Sequence, residues 1–167
     1  MTTVVVTTNI AAVKSPAKQQ PCGEVLHQDR LFVAILKSAD FLSQEAEQLI
    51  KSHDLTMAQY NVLRILRGAE PVGMLCRGIS ERMISRDPDM TRLLDRMEKR
   101  GLITRERQKD DRRVIMTRIT AEGLAFLKRL DQPVRDLHKR QFAHMKSSRM
   151  KALADLLEDV VSREPCP

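Results

Sequence analysis

The chain has 167 residues, 42% of them hydrophobic and 31% charged, with 29 Lys and Arg against 22 Asp and Glu. That length holds one domain with a real core and is too short for two ordinary ones. The net charge of +7 favours an anionic partner, no run approaches the ~20 apolar residues of a membrane span, and three cysteines without paired spacing argue against a disulfide framework.

Residues 1–23 read as a flexible tail, rich in Thr, Ala, Lys, Gln and Pro, with Pro16 and Pro21 interrupting any helix. No secretory leader pattern precedes the rest, and the expected compartment is the cytoplasm. From Glu24 to His53 the chain predicts a long amphipathic helix. Leu31, Ile35, Ala39, Leu42, Ala46 and Leu49 recur at alternating three- and four-residue steps, and Phe32, Leu36 and Ile50 widen the stripe. A face that wide must pack on something large, often a second subunit. Thr56, with Gln59 three residues on, opens a second helix as a capping box. Tyr60, Leu63 and Leu66 mark its buried side, and Gly68 its end.

After Pro71 and Gly73, the residues Met74, Leu75, Ile79 and Met83 predict a short third helix. Asp87-Pro88 then announces a fourth, with Asp87 as its cap and Pro88 where a missing N–H costs nothing. Met90, Leu93, Leu94 and Met97 face inward, whereas Thr91, Arg92, Arg96 and Lys99 face out, and Gly101 ends the helix in a left-handed conformation. Leu102–Arg107 and Arg113–Ile119 alternate as two strands around a polar turn bearing Lys109, Arg112 and Arg113. Thr120 and Gly123 open a fifth helix along Leu124, Leu127, Leu130, Val134 and Leu137; Pro133 should kink it or divide it after Leu130. A last helix carries Met150, Leu153, Leu156, Leu157, Val160 and Val161.

The expected fold is mainly α with a small β-hairpin: a winged helix-turn-helix inserted between long helices. A helix that buries one face and presents Thr91, Arg92 and Arg96 on another has the shape of a major-groove reader, and the basic hairpin suits a phosphate ridge or a minor groove. Residues 82–113 carry 11 basic and 7 acidic side chains, the densest basic excess in the chain. Sequence-specific binding of double-stranded DNA is therefore the first reading.

Three blocks carry a family resemblance: Leu55-Thr-Met-Ala-Gln-Tyr-Asn-Val-Leu63, Thr91-Arg-Leu-Leu-Asp-Arg-Met-Glu-Lys-Arg-Gly-Leu102, and Asp111-Arg-Arg113 with Ile119-Thr-Ala-Glu-Gly123. Together they resemble the signature blocks of the MarR family of bacterial transcriptional regulators, and the likeness runs from about Leu26 to Val161. It implies an obligate homodimer and most often a repressor. Residues 24–53 and 121–163 would form the dimerisation region and 54–120 the winged DNA-binding domain. A two-fold dimer reads a near-palindromic operator with half-sites about one helical turn, ~10 bp, apart.

Within that frame Thr91 and Arg92 lie where side chains reach base edges. Arg86 is placed for a phosphate. Asp89 either stabilises the helix dipole or accepts from a cytosine amino group. Arg96 and Lys99 sit further along, at a phosphate or in solvent. The resemblance makes Arg113 the minor-groove arginine and Asp111 the acid that orients it, while Lys109 and Arg112 add backbone contacts that weaken with salt. It also implies a small aromatic or phenolic effector, for which Phe32, Phe41, Met57 and Tyr60 are candidate pocket residues, though plain core roles fit them too. One departure is that Met83-Ile84-Ser85, before the reading helix, lacks the Gly often found there.

Two alternatives stand beside this reading. A redox-responsive regulator would use Cys76 or Cys22, but the sensing position of the peroxide-responsive branch falls near Phe32, and a buried structural thiol accounts for Cys76. A protein-interaction module could keep the fold without operator binding. No cofactor or metal site is expected, because His27, His53, His138 and His144 form no pair at three- or four-residue spacing. No nucleophile–base pair suggests an enzyme.

Overall fold

The computed structural model describes residues 27–85, 88–108 and 114–162. The expected tail, Cys22, Cys166, Arg86, Asp87 and the turn residues 109–113 lie outside the described residues. Contacts divide the chain after Lys37. The described part before that point is the opening of helix α1 (His27–Lys51), along which Leu31, Phe32, Val33 and Leu36 are exposed.

From Ser38 onward a second unit comprises the rest of α1, then α2 (Met57–Gly68), β1 (Met74–Leu75), α3 (Cys76–Arg82), α4 (Met90–Lys99), β2 (Ile103–Arg107), β3 (Ile115–Ile119), α5 (Ala121–Gln141) and α6 (Ser147–Ser162). The capping box at α2 forms as expected: Gln59 N–H donates to Thr56 Oγ1 at 3.2 Å, and Thr56 N–H donates to Gln59 Oε1 at 3.1 Å. Tyr60, Val62, Leu63 and Leu66 are buried on one face of α2. They join Leu93, Leu94 and Met97 of α4, Ile103 of β2, Ile119 of β3 and Leu127 and Leu130 of α5 in one apolar cluster. Each such side chain contributes roughly 1.5–3 kcal/mol by leaving water. The core thus runs on past the hairpin into α5. Arg67 fastens α2 to α5 there, donating from Nη1 to both carboxylate oxygens of Asp131 at 3.0 Å.

Two local expectations are corrected. The sheet has three antiparallel strands in the order β1-β3-β2, and Met74-Leu75 is its edge rather than the first turn of a helix. Gly73 explains the difference. Its φ of +81° turns the chain onto β3, and a Cβ there would sit 2.6 Å from the Thr117 carbonyl oxygen. Two residues are too few to display strand alternation, so an apolar pair reads equally as helix. Second, of the two outcomes open at Pro133, a kink or a division after Leu130, the division does not occur: α5 runs unbroken from Ala121 to Gln141. Proline removes the bond to the Arg129 carbonyl, but Leu130, Val134 and Leu137 stay buried along one face on either side of it. Packing of that face outweighs the lost bond.

The ends of the chain look different. Ile50 is the only buried residue of α1, and α6 has none. Among the described residues no helix is long and apolar enough to cross a membrane.

Candidate nucleic-acid interface

Helix α4 is built to show one face. Met90, Leu93, Leu94 and Met97 are buried, while Thr91, Arg92, Arg96 and Lys99 are exposed. At 100° per residue, Arg92, Arg96 and Lys99 share a sector about 60° wide on the side away from Met90 and Leu94. Neither Arg96 nor Lys99 has an ion-pair partner among the described residues. Three cationic side chains therefore stand on an open face of a helix whose other face is locked in the core.

The helix starts later than Asp87-Pro88 suggests. Its N-cap is Asp89, whose carboxylate accepts from Arg92 N–H at 3.2 Å, and Leu93 N–H donates to the Asp89 carbonyl as the first intrahelical bond. Two aspartates flank Pro88, and the preference for proline at the first helical position favours the wrong one. The burial register of Met90, Leu93, Leu94 and Met97 requires the later start. Asp89 thus supplies the structural role open to it, and it also pairs through Oδ2 with Arg92 Nε at 3.1 Å. Arg92 is pre-aimed yet its side chain is 83% exposed. Gly101 closes the helix at φ +70°, as its position predicts.

Not all of the basic excess is available to a ligand. Arg100 donates from Nη1 to the Asp54 carbonyl at 2.8 Å, and Arg105 is engaged by Asp95 and Glu98. Arg118 is paired with Glu106 at 3.0 Å. Net charge could not separate these internal cations from the open ones, whereas the acidic i, i+3 pair Asp95 and Glu98 was the available signal. Arg86, Lys109, Asp111, Arg112 and Arg113, the remaining residues of the expected interface, lie outside the described residues.

Between α1, α2 and α5 the second unit contains a cavity of about 430 Å³. Ile50, Met57, Ile65, Val134 and Leu137 give it an apolar wall, and Tyr60, Asn61, Arg64 and His138 line its polar side. Arg64 Nη1 donates to the Tyr60 hydroxyl at 3.5 Å, and among the described residues no carboxylate lines the space. Ile84, 90% exposed and only six residues before α4, also lines it. Of the four candidates, Met57 and Tyr60 line this cavity, while Phe41, exposed on α1, and Phe32 are outside the lining. Arg64 and His138 went unnoticed in the sequence, since they belong to helices that pair only in the fold. A second recess of about 510 Å³ mixes Glu45 and Asp136 with Arg140, so its lining carries both signs of charge. Cys76 is a free, half-buried thiol packed against the core.

Comparison with known proteins decides the family. A sequence profile described as the MarR family matches residues 55–115, from the start of α2 to the first residue of β3. A MarR transcription factor from Planctomyces limnophilus has the same fold at a TM-score of 0.63 and 36% identity, with 81% of this chain and 97% of that one covered. The chain belongs to the MarR family of transcriptional regulators. Among MarR relatives, the homoprotocatechuate degradative operon repressor of Escherichia coli is 28% identical over 134 residues, 80% of this chain and 89% of that protein. The PcaV transcriptional regulator of Streptomyces coelicolor, solved in complex with its natural ligand, is 28% identical at a TM-score of 0.62, covering 74% and 88% of the two chains. Homologues and fold alike are those of DNA-binding transcription regulators, not of enzymes.

Proposed function

We propose that this MarR regulator is a cytoplasmic homodimeric repressor that binds a near-palindromic operator and is released by a small aromatic anion. The observation that carries the DNA reading is the division of α4 into a locked apolar sector and an open sector bearing Arg92, Arg96 and Lys99. Thr91 and Arg92 read bases, and Arg96 and Lys99 meet phosphate. Arg86, Lys109, Arg112 and Arg113, the last oriented by Asp111, complete the surface. A gel shift with the DNA flanking the protein's own gene tests this. Binding should weaken steeply as salt rises, because phosphate contacts release counterions. No shifted band at low salt would favour the interaction-module alternative.

The dimer is supported by two apolar faces that the described residues leave exposed. On α6, Leu153, Leu156, Leu157, Val160 and Val161 are exposed, and a helix of 16 residues with no buried side chain has little stability of its own. On α1, Leu31, Phe32, Leu36 and Phe41 are exposed as well. A second copy would cover both in a self-complementary contact, in which each residue counts twice. Leu157→Glu is accordingly expected to raise the dimer dissociation constant by about 100-fold or more. Light scattering across a dilution series measures it, and an unchanged dimer would remove α6 from the interface.

The effector reading rests on the cavity. Its volume suits a small molecule, its wall is apolar, and among the described residues its charged lining is Arg64, so the chemistry it selects is an apolar body with an acidic group. The E. coli relative is named for repressing the operon that degrades homoprotocatechuate, and PcaV was solved with a natural ligand. Such a ligand acts only through a difference in affinity between DNA-competent and incompetent dimers, and Ile84 in the segment leading to α4 gives it a route. Arg64→Ala should cost about 10- to 150-fold in effector affinity, the value of one charge-assisted hydrogen bond, and leave effector-free DNA binding intact. Calorimetry with a panel of aromatic acids tests the first half of that statement and a gel shift the second.

A further inference from the structure

We infer that Arg105, on β2, is a positioning residue that locks the attitude of α4 against the hairpin and so sets how sharply the reader discriminates one duplex from another. The inference rests on the DNA-reading function proposed above. The Arg105 guanidinium is forked across two carboxylates of α4. Nε and Nη2 donate to Glu98 Oε2 at 2.9 and 2.7 Å, Nη2 donates also to Asp95 Oδ1, and the Arg105 backbone N–H donates to Glu98 Oε1 at 3.1 Å. Its side chain is 22% exposed, less than either acid it holds. The Glu98 hydrogen bond raises the guanidinium pKa above its ordinary value, so the charge persists at any working pH.

Asp95 and Glu98 stand about one turn apart along the helix, on the edge next to the open sector. Holding a rod at two points along its axis fixes its tilt and rotation, which a single contact cannot do. On its other side Arg105 is in register with Thr117 of the central strand β3, so the reference for α4 is the sheet itself. A tilt of about 5° would move the far end of this ~15 Å helix by about 1.3 Å. That displacement is enough to spoil a bidentate hydrogen bond to a base edge, although a phosphate contact would tolerate it. The clasp therefore bears on selectivity more than on affinity for DNA at large. It also offsets half of the negative charge that Asp95 and Glu98 place on the very helix that approaches a polyanion.

The test measures affinity for a duplex selected by the native chain from a random pool and for the same duplex with its sequence shuffled. The ratio of the two is the readout, since a change in global stability alone leaves it fixed. Arg105→Ala is expected to lower that ratio about tenfold or more, and Arg105→Lys, which keeps the charge without the fork, to restore only part of it. Adding Asp95→Asn and Glu98→Gln to Arg105→Ala should recover affinity for the shuffled duplex and leave the ratio low. If Arg105→Ala does not fold, Arg105→Lys carries the test alone, and its ratio should still fall. A native ratio in Arg105→Ala or Arg105→Lys, or its recovery in the triple variant, overturns the inference. A native chain that enriches no duplex overturns the DNA reading, and this inference with it.

Discussion

Gly123→Ala is expected to lower the unfolding free energy by about 2–4 kcal/mol. Gly123 lies in the first turn of α5, where the chain leaves β3 and passes the end of α4. A Cβ added there would fall 2.3 Å from the Leu102 carbonyl oxygen and 2.8 Å from Ile119 Cγ1. The oxygen cannot retreat freely, because Thr120 N–H donates to it at 3.1 Å. Nor can the helix slide, because Thr120 Oγ1 accepts from Gly123 N–H at 3.0 Å and donates to the Gly101 carbonyl at 2.7 Å. One methyl group therefore has to displace a junction held by three hydrogen bonds. Since that junction also receives the C-terminal end of α4, operator binding should fall along with stability. Gly68→Ala is the matched control. Nothing lies within 4 Å of its added Cβ at the end of α2, so it should be neutral or stabilising by up to about 1 kcal/mol. Urea melts of the two variants at one protein concentration check both values, and equal midpoints would mean that the junction yields.

Much of this architecture is legible in the chain because its signals are local. The Thr56–Gln59 box, the 90/93/94/97 apolar register and Gly101 each need only their own neighbours to be understood, and each is where the pattern puts it. What escapes is what depends on a remote partner. Met74-Leu75 becomes a strand only because β3 lies beside it, and α5 survives Pro133 only because Leu130 and Leu137 are both anchored. The start of α4 fails for a narrower reason: two aspartates two residues apart both satisfy the capping rule, and only the packed face chooses between them.

The same distinction governs the interface. Composition finds the basic block, and the period finds the open side of α4. Neither reveals that Arg100 is engaged by the Asp54 carbonyl and Arg105 by Asp95 and Glu98. Only the geometry separates cations that hold the reader from cations that it offers. For α1 and α6 the position is reversed. An apolar stripe says plainly that a face is to be covered, but a stripe has the same form whether its cover is the same chain or another copy.

Arg92→Ala is expected to abolish discrimination between duplexes while leaving the fold untouched. Its side chain is 83% exposed, and its pair with Asp89 is a surface contact within one helical turn, of a kind that contributes at most about 1 kcal/mol. Stability should therefore change by no more than roughly 1 kcal/mol, the more so because the Asp89 cap acts on the backbone N–H of residue 92, which alanine keeps. Binding is another matter. A bidentate arginine contact to guanine discriminates by about 1–3 kcal/mol, and a two-fold complex contains it twice, so about 2–6 kcal/mol of specific affinity is at stake. Affinity for unrelated DNA should drop far less, since it depends on the summed positive charge rather than on one fork. Arg113→Ala should show the complementary pattern, weakening selected and unrelated duplexes more evenly. Asp89→Asn keeps an acceptor for the residue-92 N–H but releases the Arg92 side chain from its ion pair, so selectivity should loosen. Competition binding with point-substituted duplexes resolves these outcomes. Should Arg92→Ala penalise mismatched duplexes as strongly as the native chain does, base reading would have to move to Thr91 or off α4 altogether.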